Sequence, residues 1–271
     1  MVLSDLSLPT NRTLVMGILN VTPDSFADGG RFVEAPAAIE RGLQLIEEGV
    51  DIIDIGGEST RPGSDRVSQE EELKRVLPVI EYLGSRIVVS IDTARAEVAR
   101  AAVESGARIV NDISAGRYDA GMFAQVAELN CPYIAMHSRG DSKSMASLNQ
   151  YGDVLSEVKS EISERVEAAL SAGVQRKNLI IDPGLGFAKD AEQNWKILNG
   201  LDSLQEIGFP ILIGASRKRF LGALVGSDAP EDREAASIAI TALLAQRGVW
   251  AVRVHGAKAH VDAVKVAGRM S

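Results

Sequence analysis

The sequence contains a single cysteine, Cys131, among its 271 residues. One thiol excludes an intrachain disulfide bond and suits a reducing compartment, where disulfides are rare. Cys131 stands at the start of an apolar run. This position favours a structural thiol over a catalytic nucleophile, so we expect no cysteine chemistry.

Long apolar runs and a basic surface are also missing. No run reaches the roughly 18 apolar residues of a membrane span, and residues 1–13 lack the basic and apolar regions of a secretory signal. The net charge of −8, without any basic stripe, argues against a nucleic-acid partner. We therefore expect a cytoplasmic protein with small-molecule substrates and neither a nucleic-acid nor a membrane partner. A local cluster of Arg and Lys would be enough to bind an anion.

Eight short apolar runs, rich in Val and Ile, recur along the chain. Continuous runs of this kind are typical of strands that are buried on both faces of a parallel sheet. They occupy residues 14–19, 50–55, 86–91, 107–112, 132–137, 178–182, 209–214 and 249–255.

Segments with helical periodicity separate these runs. In residues 68–84, Ser68 is a predicted N-cap and Gly84 a predicted end. Strict alternation of strands and helices indicates an α/β fold with a parallel sheet. Eight units in 271 residues, with no G-x-G-x-x-G after the first run, predict a (β/α)₈ TIM barrel with eight parallel strands. We predict one domain over residues 1–271, with residues 1–12 as a short N-terminal extension.

Polar residues stand where the predicted strands end. In a TIM barrel all these ends open onto one face, which carries the active site. We therefore expect these residues to meet around one mouth: Asn20, Glu58, Thr60, Arg61, Asp92, Asn111, Asp112, His137, Asp182, Ser216, Lys218, Arg253 and His255.

The charges at these ends suggest two kinds of ligand. Arg253 and His255 are two residues apart, so they face the same side of a strand. Lys218 and Arg61, from neighbouring strand ends, complete a positive patch. Such a cluster favours a phosphate or diphosphate. The second set, Asp92, Asn111 and Asp182, can bind the N–H groups of a flat 2-amino-4-oxo heterocycle. A metal site built from the same residue types is the alternative.

Seven motifs, in this order, resemble those of the dihydropteroate synthase family. The resemblance extends from residue 14 to about residue 266, and the first two motifs are far more specific than a lone glycine pattern. The motifs are ILNVTPDSFADGG (18–30), IDIGGESTRPG (53–63), SIDT (90–93), NDIS (111–114), DPGLGFAK (182–189), ASRKRFLG (215–222) and RVH (253–255).

The resemblance implies a homodimeric (β/α)₈ barrel that acts in folate biosynthesis and belongs to a family of sulfonamide targets. Such an enzyme joins 4-aminobenzoate to 6-hydroxymethyl-7,8-dihydropterin diphosphate, releases diphosphate and forms 7,8-dihydropteroate. It implies Mg²⁺ as the cofactor, with Asn20 beside the metal.

Roles for individual residues follow from the resemblance alone. The implied pterin-binding residues are Asp92, Asn111, Asp182 and Lys218. The implied diphosphate-binding residues are Arg61, Arg253 and His255. The implied aminobenzoate-binding residues are Phe26, Thr60, Pro62, Phe187, Ser216 and Lys218. The implied catalytic residues are Asp28, Arg61, Asp182 and Lys218.

Two alternatives stay open at this point. One is a methyltransferase of the methyltetrahydrofolate-corrinoid type, against which Arg61, Lys218 and Arg253 argue. The other is a non-catalytic pterin-binding paralogue. It is suggested by Gly256, where the family commonly has Asp, so that a contact to His255 or a helix cap is expected to be weaker. Asp54, inside the second strand, is expected to point into the barrel and need a partner.

Overall fold

The computed structural model describes residues 3–22, 34–59, 64, 66–141 and 143–270. Eight strands in the described residues form one parallel sheet in the order β6-β5-β4-β3-β2-β1-β8-β7. They are β1 (Leu14–Asn20), β2 (Ile52–Gly56), β3 (Val88–Asp92), β4 (Ile109–Asp112), β5 (Tyr133–Met136), β6 (Leu179–Asp182), β7 (Leu212–Ile213) and β8 (Ala251–Val254).

The sheet closes between β6 and β7. A parallel bridge joins Ile181 to Ile211, and the Ile181 N–H donates to the carbonyl of Pro210 at 2.9 Å. The eight strands therefore form a nearly closed barrel, as a (β/α)₈ fold requires. The predicted fold class and all eight strands are confirmed.

Helices follow the strands on the outside of the barrel. A large apolar cluster fills the space between strands and helices, and includes Leu45, Val76, Ile80 and Leu83. The helices are α1 (Glu34–Glu48), α2 (Gln69–Leu83), α3 (Ala96–Glu104), α4 (Met122–Leu129), α5 (Val154–Ser171), α6 (Ala191–Asn199), α7 (Leu201–Gln205), α8 (Arg219–Val225), α9 (Glu234–Gln246) and α10 (Ala257–Ala267).

Several helix ends are determined by local sequence. The Ser68 hydroxyl accepts the Glu71 N–H and caps α2, as predicted. A capping box of Asp190 and Gln193 begins α6. Residues 191–205 form two helices, α6 and α7, which are separated at Gly200, and Gly200 packs directly against Leu155 of α5.

The inside of the barrel is apolar at one end and polar at the other. Because side chains alternate between the two faces of a strand, every second residue points inward. At the amino ends of the strands the inward residues form a second apolar cluster, which Leu6 of the N-terminal segment helps to cover. This cluster contains Leu6, Leu14, Met16, Ile52, Ile109, Ile134, Ile180, Leu212 and Ala251.

Two residues further along these strands, the inward positions become polar. Examples are Asp54 after Ile52, Asn111 after Ile109, Asp182 after Ile180 and Arg253 after Ala251. The fold therefore places a hydrophobic base under a polar mouth. Within the described part of the chain, no helix combines the length and apolar character needed to cross a lipid bilayer.

Candidate active site

Four strand-end residues lie side by side across β1 to β4. The register pairs Asn20 with Gly56, Gly56 with Asp92, and Asp92 with Asn111. A Cβ atom on Gly56 would lie 3.7 Å from both Asn20 Oδ1 and Asp92 Oδ2. Since Gly56 has no side chain, the Asn20 amide and the Asp92 carboxylate face each other across a small open space at the mouth.

Arg253 reaches from β8 across the barrel to two carboxylates. Its Nε donates to Asp54 Oδ2 at 2.6 Å and its Nη2 donates to Asp92 Oδ2 at 2.7 Å. Burial alone would lower the pKa of Arg253, but Asp54 and Asp92 raise it overall. Burial raises the pKa of Asp92 to about 7, more than the Arg253 guanidinium lowers it. Arg253, which was predicted to bind the diphosphate, and Asp92, which was predicted to bind the pterin, are thus hydrogen-bonded to each other.

Asp54 links these residues to β4. The Asn111 amide donates to Asp54 Oδ2 at 3.0 Å, the same oxygen that accepts from Arg253. Asp54 is fully buried, and its Oδ1 has no hydrogen-bond partner among the described residues. The sequence indicated that Asp54 points inward and needs a partner, but assigned it no role. In the structure it orients both Arg253 and Asn111.

Asp182 occupies the opposite side of the mouth, at the end of β6. Its Oδ1 accepts the Gly184 N–H at 2.7 Å. Burial raises its pKa, although Lys218, the Gly184 N–H and Arg253 each oppose this effect. Gly184 has a φ of +66°, and its Cα faces the His137 carbonyl so closely that a side chain has no room. The glycine therefore allows the turn that holds Asp182 in place.

Lys218 approaches the same carboxylate from the turn after β7. Its Nζ donates to the Leu185 carbonyl and lies 5.0 Å from the centre of the Phe187 ring. Burial lowers the pKa of Lys218 to about 8, Asp182 opposes that shift, and Arg253 adds to it. Lys218, Phe187 and Asp182, which were predicted to share the site, do lie together.

Ser216 and His255 form a pair beside Lys218. The His255 N–H donates to Ser216 Oγ at 3.2 Å, and the Ser216 hydroxyl and His255 Nδ1 are hydrogen-bonded at 3.1 Å. Ser216 is buried. This contact joins the end of β8 to the turn after β7, so two predicted ligand groups share one edge of the mouth.

A buried lysine that the sequence analysis did not select supports the loop after β6. Lys189 Nζ donates to the carbonyls of Gly184 and Phe187, at 3.1 and 3.0 Å, and lies 2.9 Å from His137 Nδ1. His137 Nε2 in turn pairs with Glu161 at 3.1 Å. Burial lowers the pKa of Lys189 to about 7 and that of His137 to about 4. In the sequence, the signal that could have identified Lys189 was its position at the end of the DPGLGFAK motif.

An ion-pair cluster lies below the loop after β2. Arg95 donates to Glu58 at 3.1 Å, to Glu72 and to the Val67 carbonyl, and Arg66 donates to Glu58 at 2.8 Å. These contacts anchor both ends of the segment that carries GGESTRPG. Glu58 therefore supports the start of this segment through its ion pairs with Arg66 and Arg95.

Five predicted site residues lie outside the described residues, and their placement stays a prediction: Phe26, Asp28, Thr60, Arg61 and Pro62. The described ones, by contrast, gather at one end of the barrel. Among the described residues, no group of three or more His, Cys, Asp and Glu side chains is arranged to hold a metal. The guanidinium of Arg253 bridges the carboxylates of Asp54 and Asp92.

A second concave region lies at the other end of the barrel. This groove, of about 810 Å³, is lined by residues of the N-terminal segment together with Phe209 and Trp250. Its described lining contains no carboxylate. It cannot match the N–H edge of a heterocycle in the way the mouth does.

Comparison with known proteins agrees with the motifs. The model for pterin binding enzymes matches residues 16–255. The chain belongs to the pterin binding enzyme family. The matched segment begins inside β1 and ends directly after β8, so it includes all or most of each of the eight strands.

Relatives within the pterin binding enzyme family are dihydropteroate synthases. That of Mycobacterium leprae (strain TN) is 50% identical over 261 residues, which cover 94% of this chain and 92% of the relative. The structure is similar to Xanthomonas albilineans dihydropteroate synthase with 4-aminobenzoic acid, with a TM-score of 0.90 and 47% identity over 96% of this chain and 93% of that chain. A complex of the Xanthomonas albilineans enzyme with 7,8-dihydropteroate has a TM-score of 0.88 and 44% identity, covering 97% and 95%.

Proposed function

We propose that this chain is a dihydropteroate synthase. It transfers the pterinylmethyl group of 6-hydroxymethyl-7,8-dihydropterin diphosphate to 4-aminobenzoate, giving 7,8-dihydropteroate and diphosphate. The observation that carries the proposal is the single mouth in which two buried carboxylates and an amide lie beside Arg253 and Lys218. The motifs and the dihydropteroate synthase relatives support the same reaction.

The pterin is held by Asp92, Asn111 and Asp182 in this proposal. Carboxylates accept hydrogen bonds from the amino and ring N–H groups, and a side-chain amide both donates and accepts. Asp54 fixes the orientation of Asn111 through the 3.0 Å hydrogen bond. Since Asp54 and Arg253 are already bonded, the edge that meets the ring is arranged before the ligand arrives.

The chemical step breaks the bond between the pterin methylene carbon and the diphosphate oxygen. Diphosphate leaves with the electron pair, and positive charge develops on the methylene group and the conjugated ring. Asp182, which is buried and close to the ring edge in this proposal, stabilises that charge. The amino nitrogen of 4-aminobenzoate then forms the new C–N bond with its lone pair and loses a proton. No covalent enzyme intermediate is required.

The leaving diphosphate is bound by Arg253 and His255. Arg253 uses Nε and Nη2 for Asp54 and Asp92, and among the described residues no hydrogen bond engages Nη1, which can donate to a phosphate oxygen. His255 is oriented by Ser216 at 3.1 Å. The predicted third cation, Arg61, would complete this set. The aminobenzoate would contact Phe187, Ser216 and Lys218.

The proposed cofactor is Mg²⁺, with Asn20 as the protein ligand. The residues fit this ion, because Asn20 Oδ1 is an oxygen donor that faces an open space next to Asp92. Magnesium typically binds few protein groups and keeps waters and substrate phosphates as its other ligands. When bound, the ion would neutralise charge on the diphosphate.

A turnover assay tests the proposed function. The purified protein is incubated with the pterin diphosphate, 4-aminobenzoate and Mg²⁺, and diphosphate is measured. We expect release that depends on both organic substrates. A folded protein that binds the pterin without releasing diphosphate would be the non-catalytic paralogue. One that instead transfers methyl groups to a corrinoid partner would be the methyltransferase.

We also propose a cytoplasmic homodimer. Among the described residues, five of the eight exposed large apolar side chains lie on α8, α9 and α10 or directly after α10: Leu224, Val225, Leu243, Val266 and Met270. These neighbouring elements support a self-association surface at this side of the barrel. Light scattering after gel filtration would give a dimer mass, and a monomer mass at micromolar concentration would contradict the proposal.

A further inference from the structure

The turn between β7 and α8 carries two proposed ligand residues, Ser216 and Lys218, on either side of Arg217. Arg217 has a φ of +57°, which lies in the left-handed region. Residues other than glycine adopt this region uncommonly, and they stay there when the surrounding structure holds them. The position of Ser216 and Lys218 therefore depends on whatever holds Arg217.

Three contacts from the start of α9 hold Arg217. Its N–H donates to Ser237 Oγ at 2.9 Å, its carbonyl accepts from Arg233 Nη1 at 3.0 Å, and its Nε donates to Glu234 Oε2 at 2.7 Å. Glu234 supplies the only side-chain charge opposite the Arg217 guanidinium among the ion pairs of the described residues. Its carboxylate is also 3.6 Å from His260 Nε2.

Gly256, directly after His255, has no side chain and so leaves room for the Glu234 carboxylate. Its φ of −97° and ψ of 113° are open to any residue, so the backbone does not require glycine. A Cβ atom there would lie 2.5 Å from Glu234 Oε1 and 3.3 Å from Arg217 Nη2. The Glu234–Arg217 pair therefore occupies the space in which a side chain at position 256 would begin, and a side chain there would displace the Glu234 carboxylate.

A side chain at position 256 could also cap α10, and in this protein a residue of another helix provides that contact. Gly256 is the N-cap residue of α10 and forms no side-chain cap. Glu48 of α1 instead accepts the Ala257 N–H at 3.1 Å. Gly256 was expected to weaken a helix cap or a contact to His255, and in the structure a carboxylate from another helix accepts the first N–H of α10.

We propose that Glu234 is a positioning residue for the dihydropteroate synthase reaction. It holds Arg217, and Arg217 in turn sets the turn that presents Ser216 and Lys218 to the substrates. This inference rests on the proposed function. It also accounts for Gly256, because the Glu234 carboxylate that bonds Arg217 lies where a side chain at position 256 would begin.

The first test compares Glu234→Ala with a matched control, Glu231→Ala, which removes an exposed acid one turn earlier. We expect kcat/KM for 4-aminobenzoate to fall about 10- to 100-fold in Glu234→Ala, because small displacements of positioning groups have effects of this size. The KM for the pterin diphosphate should change less, since Asp92 and Asn111 are untouched. Unchanged constants in a folded Glu234→Ala protein would overturn the proposal.

The second test moves the carboxylate. Gly256→Asp alone should lower activity, because its Cβ would meet Glu234. In the Glu234→Ala background the same change should restore activity, since the aspartate can reach Arg217 through the vacated space. A double variant that is no more active than Glu234→Ala would overturn the proposal. If Glu234→Ala does not fold, Glu234→Gln replaces it in the first test and Glu234→Ser, which also vacates the space beside Gly256, replaces it in the second.

Thermal unfolding separates this inference from the proposed function. We expect Gly256→Asp to lower the Tm of the wild-type protein and to raise the Tm of Glu234→Ala. If the wild-type protein releases no diphosphate, the proposed function fails, while these four Tm values still test the pairing. A Tm change of the same sign in both backgrounds would contradict it.

Discussion

At the mouth of the barrel, the guanidinium of Arg253 donates hydrogen bonds to two carboxylates. Arg253 bonds Asp54 at 2.6 Å and Asp92 at 2.7 Å, and Asp54 also accepts from Asn111. Buried charges are costly unless they are paired, so this chain of contacts explains how acids can sit at a buried site. On the other side of the mouth, Asp182 and Lys218 interact electrostatically, and each shifts the pKa of the other toward the charged form.

Asp182→Asn tests the catalytic role of this carboxylate. We expect kcat to fall on the order of 10²–10³-fold, the usual effect of removing one positioned charge. Because the amide has nearly the shape of the carboxylate and keeps an oxygen that can accept the Gly184 N–H, the Tm should change little. Steady-state kinetics and a melting curve check both points. An unchanged kcat would remove Asp182 from the mechanism.

Asp54→Ala tests the partner of Arg253. The change leaves a largely buried guanidinium and the Asn111 amide without their shared acceptor. Removing one member of a buried pair typically costs about 3–5 kcal/mol of unfolding free energy. Urea unfolding should show a loss of this order, and Asp54→Asn should lose less because it retains an oxygen acceptor. An Asp54→Ala protein with the wild-type midpoint would contradict the account.

Asp92 predicts a pH dependence of stability. Its pKa is raised from 3.8 to about 7, so between these values the folded protein holds a proton that the unfolded chain releases. The contribution of this group to the unfolding free energy is therefore complete below about pH 4 and is lost as the pH rises to about 7. Denaturant unfolding of the wild type and of Asp92→Asn at several pH values measures it. Parallel profiles for the two proteins would contradict the raised pKa.

At the scale of elements, the sequence predicted the strands well and the links between them poorly. Apolar runs of Val and Ile located all eight strands, and polar residues at their ends located the mouth. Asp54, Lys189 and Glu234 were not given roles, because their importance comes from partners far along the chain. Asp54 and Arg253, for example, are 199 residues apart. The short helix α8 was missed because ASRKRFLG resembles a loop motif more than a helix.

The loop between β6 and α6 offers a test at this scale. Lys189→Met should leave the carbonyls of Gly184 and Phe187 without their buried donor. Each unsatisfied buried group costs about 1–3 kcal/mol, so we expect a lower Tm. Activity should also fall, because this loop contains Phe187 and directly follows Asp182. Lys177→Met, an exposed lysine near the other end of β6, is the control. Equal behaviour of the two variants would contradict the role of Lys189.

At the scale of the whole molecule, an acidic protein with a net charge of −8 concentrates cations where its strands end. The apolar base of the barrel, which includes Met16, Ile52 and Ile180, keeps that end closed. The described residues of the predicted site therefore lie at the polar mouth and not at this base. The architecture assigns stability to one end of the barrel and chemistry to the other, as is general for TIM barrels.

The most direct measurement is a crystal structure with the pterin diphosphate bound. We predict that the N–H groups of the ring lie within hydrogen-bond distance of Asp92 and Asp182, with Asn111 on the same edge. The diphosphate should contact Arg253 and His255. A ligand bound in the groove beside Trp250, or in the mouth with its diphosphate away from Arg253, would contradict the account.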